Sequence, residues 1–109
     1  IYEENGEIVG RQYQTGRGPC DILAISKDKK EFLIIELKKG RASDRVAGQL
    51  GRYMTAVRQS LAKEGQVVKG CVVANENDEN LQYSLEAMSN TEFYKYEIKF
   101  NLEKINSLN

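Results

Sequence analysis

Three residues form the sharpest chemical pattern in this sequence: Asp21, Glu36 and Lys38, two carboxylates and an amine set in neighbouring apolar runs. The runs, Cys20–Ser26 and Glu31–Lys38, are of strand length and flank the polar Lys27-Asp28-Lys29-Lys30, the pattern of a β-hairpin. With Asp28-Lys29 as a two-residue turn, Lys27 pairs with Lys30, paired numbers sum to 57, and Asp21 stands opposite Glu36. Opposed residues share a sheet face with their Cβ atoms about 5 Å apart. Two carboxylates so placed repel each other, and a divalent cation between them removes the conflict. Mg²⁺ suits the place, because it takes oxygen ligands and is often held by one or two carboxylates plus water and phosphate. Lys38 lies two residues beyond Glu36, hence on the same face. An ammonium there can orient or help deprotonate a water attacking phosphorus, and can stabilise charge developing on the phosphate. The set reads as a metal-assisted phosphodiester hydrolase. Glu-x-Lys alone is an ordinary polar end of a strand; the opposed Asp21 lifts it above that.

Composition removes most rival chemistries. The 109 residues contain no histidine, which excludes Ser-His and Cys-His catalysis, His-ligated zinc and nucleases with a His base. Cys20 and Cys71 are the only cysteines, each in an apolar stretch and not in a Cys-x-x-Cys pair. They read as buried reduced thiols, the expectation for a cytoplasmic protein. Apolar residues at 40% and charged residues at 29% give a globular balance, and apolar runs such as Phe32–Ile35 are far too short to span a bilayer. The size fits one domain over residues 1–109.

The elements that must position these groups follow from periodicity. Glu7–Gln14 reads as a strand ended by the turn-prone Thr15–Pro19, and the hairpin follows. Gly40 is expected to break the second hairpin strand, with Ser43 or Asp44 capping a helix that runs to about Ala62. Val46, Leu50, Tyr53, Met54, Val57 and Leu61 share one face of that helix. Gln49 and Tyr53 sit one turn apart at its border, beside Arg45 and Arg52. Val67–Ala74 reads as a central strand, Asn75–Asp78 as a loop, and Leu81, Leu85 and Met88 as the apolar side of a short helix. Phe93–Leu102 alternates, with Tyr94, Tyr96, Ile98, Phe100 and Leu102 on one face, as in a half-buried strand near a sheet edge. The order β-β-β-α-β-α-β defines an α/β fold, a mixed central sheet flanked by helices.

Zero net charge hides an asymmetry. Residues 1–75 carry 13 Lys/Arg against 9 Asp/Glu, a balance of +4, and residues 76–109 carry 3 against 7, a balance of −4. Positive charge concentrates at Lys38, Lys39, Arg41, Arg45, Arg52 and Arg58. This is either a solvated helix face or an anion-binding one, and in the second case Lys39, Arg41, Arg45 and Arg52 are nucleic-acid contacts. Arg11, Gln12 and Tyr13, just before the hairpin, are open to the same two readings.

Pro19-Cys20-Asp21, then Glu36-Leu37-Lys38, then Gln49-x-x-x-Tyr53 together resemble the PD-(D/E)xK nuclease superfamily. The Glu-Leu-Lys-Lys-Gly-Arg-Ala run and Gly48-Gln49-Leu50-x-Arg52-Tyr53 most resemble the C-terminal nuclease domain of NucS-type endonucleases. The resemblance implies a restriction-endonuclease-like core and a Mg²⁺- or Mn²⁺-dependent DNA endonuclease of repair or restriction. Asp21, Glu36 and the backbone carbonyl of Leu37 would ligate metal, Lys38 would position the water, and Gln49 and Tyr53 would support the site. Members of this superfamily commonly add an acidic residue from an N-terminal helix. Only Glu3 or Glu4 can fill that place here, on a segment without helical pattern. They also often carry a separate DNA-binding domain, so the chain reads as an excised catalytic domain or a trimmed relative. A homodimer, pairing through the Tyr94/Tyr96 edge, would enlarge the surface available to a duplex. The rival reading is a catalytically silent module of the same fold that binds nucleic acid or a protein. A phosphate-binding α/β domain is disfavoured, because no Gly-rich loop precedes a helix.

Overall fold

In the computed structural model, which describes residues 1–106, the chain opens with a hairpin of β1 (Glu3–Glu4) and β2 (Glu7–Ile8). Asn5 and Gly6 join them at φ 51° and 81°, the left-handed pair that a tight two-residue hairpin requires. Gly10 then separates β2 from β3 (Arg11–Gln14), so the single strand expected over 7–14 is two. Packing dictates the break: Val9 and Gly10 both donate to the Tyr2 carbonyl, and a Cβ on Gly10 would lie 2.2 Å from the Leu23 carbonyl oxygen.

Strands β4 (Pro19–Ile25) and β5 (Glu31–Arg41) form the expected hairpin, paired Ile22 to Ile35 and Leu23 to Ile34. The turn differs from expectation. The Ser26 carbonyl accepts from the Lys29 N–H, Lys29 sits at φ 60°, and the Ser26 N–H donates to the Glu31 carbonyl. Asp28 closes the loop by accepting from the Ser26 hydroxyl at 2.6 Å and the Lys30 N–H at 3.0 Å. A loop over 27–30 shares its midpoint with a two-residue turn, so the register is unchanged. Gly40 does not end β5 either. At φ 78° it lies where the pairing shifts between Lys38 and Arg41, a bulge that bends the strand just beyond Lys38.

Helix α1 (Arg45–Ser60) follows, then β6 (Val67–Glu76), α2 (Glu79–Glu86) and β7 (Thr91–Lys95). The sheet order is β3-β4-β5-β6-β7, with the first three strands antiparallel and β5, β6 and β7 parallel. Parallel neighbours need crossovers, which α1 and α2 supply. Phe32 and Ile34 of β5, Val68, Val72 and Ala74 of β6, Leu50, Met54 and Val57 of α1, and Leu81 and Leu85 of α2 form one core. Gly70 lets α1 lie close on β6, where a Cβ would meet Met54 and Leu50 within 3 Å. Asp78, read in the sequence only as loop, caps α2 by accepting from the Leu81 N–H at 2.9 Å.

The last expected strand is shorter than its alternation suggests. β7 ends at Lys95, opposite Ala74, and its one neighbour β6 ends at Glu76. A strand cannot outrun its partner, so Ile98, Phe100 and Leu102 are 66%, 84% and 94% exposed, outside any regular element. Within β7 it is Phe93 that packs on the core, while Tyr94 faces solvent. Among the described residues no helix is long and apolar enough to cross a membrane.

Candidate active site

The site is built at the carboxyl end of β5, the usual place for function in a sheet with parallel strands and crossover helices. Side chains alternate along β5: Phe32 and Ile34 enter the core, and Glu36 follows them on the same face. Glu36 is only 3% exposed, and among the described residues its Oε1 has no hydrogen-bond partner. Burial is the main reason its pKa is pushed up to about 7. The neighbouring Asp21 carboxylate adds to the rise, while the Lys38 ammonium opposes it. The expected convergence of Asp21, Glu36 and Lys38 is therefore present.

Asp21 departs from simple cross-strand pairing. The β4–β5 ladder stops at Ile22 and Ile35, and Asp21 takes the next bond with its side chain. Its Oδ2 accepts from the Leu37 N–H at 2.7 Å and its Oδ1 from the Gln12 amide at 3.3 Å. Both carboxylate oxygens are thus anchored, one by each flanking strand.

Helix α1 closes the site from above. Tyr53 is buried, and its hydroxyl would lie 3.2 Å from a Cβ on Gly18, which sits at φ 117° in the turn before β4. Its pKa is raised by burial first and by Glu36 next, with Arg52 acting against. Cys20 beside it is driven up to about 11, by burial and then Glu36, which makes it an inert thiol. Gln49, half-buried, shares a cavity of about 260 Å³ with Lys38, Ser43, Arg45 and Arg52.

The remaining basic candidates are scattered. Arg41 is tied to the α2 cap, its Nε 2.9 Å from Asp78. Lys39 is exposed on β5. Arg11 is paired with Ile22, itself opposite Ile35, which places it on the sheet face away from Glu36. Glu3 and Glu4 lie exposed on β1, not on a helix. Gln12 acquires a definite contact that the sequence left open. Its signal lay in the β3–β4 pairing, where the register of Arg11 with Ile22 and Tyr13 with Cys20 brackets Gln12 and Asp21.

The donor set suits a hard divalent cation. Among the described residues no three Asp, Glu, His or Cys side chains cluster, so the protein ligands would be the two carboxylates, supplemented by backbone and water. A buried carboxylate with an unpartnered oxygen next to a second carboxylate is unfavourable unless a proton or a cation is added, and Mg²⁺ needs no more than such a pair.

Solved structures share this arrangement of sheet and helices. A repair endonuclease from Pyrococcus abyssi superposes with a TM-score of 0.67 at 28% identity, covering 80% of this chain and 36% of that one. A structure of an EndoMS–dsDNA complex gives 0.68 at 26% identity, covering 84% and 36%. The class is therefore an α/β domain with a restriction-endonuclease-like core. Residues 1–103 match the Endonuclease NucS C-terminal domain, and the chain belongs to that family. Endonuclease NucS of Methanopyrus kandleri and of Methanocaldococcus jannaschii are each 32% identical over 74 residues, 68% of this chain and 27% of those proteins. The chain thus spans about a quarter to a third of the length of these relatives.

Proposed function

We propose that this domain is a divalent-metal-dependent endonuclease that hydrolyses phosphodiester bonds in DNA. The observation that carries the reading is the buried Glu36 carboxyl, its Oε1 without a partner, set near Asp21 toward the end of β5, with Lys38 beside it. Its support from similarity is membership of a family named for an endonuclease, and a structural neighbour in complex with double-stranded DNA.

Asp21, Glu36 and the Leu37 carbonyl would hold Mg²⁺ or Mn²⁺, which when bound polarises the scissile phosphate, lowers the pKa of water and neutralises the leaving 3′ oxygen. The chain's own residues do the rest. The Leu37 N–H and the Gln12 amide fix the Asp21 carboxylate. Lys38 orients the attacking water and offers positive charge to the phosphate. Arg45, Gln49 and Arg52 line one cavity with Lys38, where they would meet the phosphate. Tyr53, buried beside Gly18 and near enough to Glu36 to feel its charge, would help to keep water from the buried carboxyl.

The test is cleavage of labelled single-stranded, duplex and forked DNA with Mg²⁺ or Mn²⁺. Asp21→Asn and Lys38→Ala are expected to lower the rate at least 100-fold. DNA binding by the wild type without cutting in any metal would show instead a silent module of the same fold.

A further inference from the structure

Gln12 is the one residue in the main sheet outside glycine that occupies the left-handed region, at φ 50°, among the described residues. For a residue that is neither Gly, Asn nor Asp, this conformation is costly inside a strand. Such outliers persist where the surrounding structure fixes them, and they cluster at functional sites. The neighbours on either side are regular, with Arg11 paired to Ile22 and Tyr13 to Cys20. The distortion is local, and it has one visible consequence: the Gln12 amide reaches the Asp21 carboxylate, Nε2 to Oδ1 at 3.3 Å. The other oxygen, Oδ2, is already held by the Leu37 N–H at 2.7 Å.

We infer that Gln12 is a positioning residue, which fixes the plane of the Asp21 carboxylate so that it presents a preset ligand for the divalent cation. The inference rests on the metal-dependent reading above and deepens it. A single hydrogen bond from Leu37 leaves the carboxylate free to pivot about χ2; a second, on the opposite oxygen, removes that freedom. Carboxylate ligands are commonly held by such outer contacts, and losing one lowers metal affinity about 10- to 100-fold. A neutral amide also anchors the carboxylate without the charge of a Lys or Arg, which would repel the cation. The exposed 3.3 Å contact belongs at the lower end of that range.

The test exploits the strain. Gln12→Gly and Gln12→Asn both accept a positive φ, so neither disturbs the backbone, but Gly has no amide and Asn is one methylene short. Mn²⁺ binding to the whole chain, followed by electron paramagnetic resonance, is expected to weaken about tenfold in both, while the thermal midpoint of the metal-free protein holds or rises. In cleavage assays the Mg²⁺ concentration for half-maximal rate should rise by the same factor with the KM for DNA unchanged. Equal Mn²⁺ affinity in wild type and variants overturns the role of Gln12 and leaves the metal-dependent reading standing. A lowered thermal midpoint with unaltered affinity would show a purely structural residue. Failure of the wild type itself to bind Mn²⁺, with Asp21→Asn as control, overturns both readings together.

Discussion

Glu36 is the residue where the fold's stability and its chemistry conflict. Its carboxyl is buried without a partner for Oε1, and its pKa rises from the usual 4.5 to about 7. The folded state therefore keeps a proton that the unfolded chain has already lost between those values. Stability of the metal-free protein must fall as pH rises from about 4.5 through about 7. The size of the effect is on the order of 2 kcal/mol. Urea denaturation at pH 5 and pH 8 in the presence of a chelator should show this loss, and Glu36→Gln should abolish most of it while making the protein more stable at pH 8. Under the metal-dependent reading, Mg²⁺ restores stability to the wild type at pH 8 and does little for Glu36→Gln. A wild type equally stable at both pH values would mean that Glu36 is solvated or partnered in solution.

At the level of elements, two glycines decide how close the layers come. A Cβ on Gly10 would lie 2.2 Å from the Leu23 carbonyl oxygen, a backbone atom of β4 held by the Tyr2 N–H, which cannot easily move aside. On Gly70 it would meet the Met54 sulfur at 2.6 Å and a Leu50 methyl at 2.9 Å, both at the ends of flexible side chains. Gly10→Ala is accordingly expected to cost about 3 kcal/mol and Gly70→Ala about 1 kcal/mol, within the usual range for overpacking. Chemical denaturation of the two variants checks the order, and the reverse order would contradict the packing described. Gly70→Ala carries a second consequence, because α1 brings both Gln49 and Tyr53 to the site. Lifting the helix from β6 should lower activity by more than the loss of stability alone explains.

For the whole molecule, the apolar alternation of the C-terminal segment does not contribute to the core. Ile98, Phe100 and Leu102 are exposed beyond the end of β7, so replacing all three with Ser should change the stability of the isolated chain by less than about 0.5 kcal/mol. A larger loss would show that the segment docks on the domain in solution. The charge distribution acts at the same scale. Arg45, Arg52 and Lys38 gather at one cavity, whereas Arg41 is engaged with Asp78 and Arg11 faces the other side of the sheet. Three positive side chains around a site are a modest electrostatic footprint for a duplex, consistent with a domain that spans about a third of its solved relatives.

The order of elements from the β4–β5 hairpin onward, its register and the meeting of Asp21 with Glu36 and Lys38 were legible in the sequence alone. These depend on period-two alternation and on the midpoint of one hairpin, which are local properties of the chain. The Asn5-Gly6 hairpin went unread, although Asn-Gly is by its residue types a hairpin signal. What only the tertiary structure decided depends on partners distant in sequence. Gly10 splits a strand because Leu23 lies against it, and β7 stops because β6 has ended. Gln12 takes a left-handed conformation in which its amide reaches Asp21 on the neighbouring strand, and Glu36 loses its solvent on the face of β5 that packs, through Phe32 and Ile34, into the core shared with α1. Alternation can say which face a residue takes, but burial and strain are set by whatever the rest of the chain brings to that face.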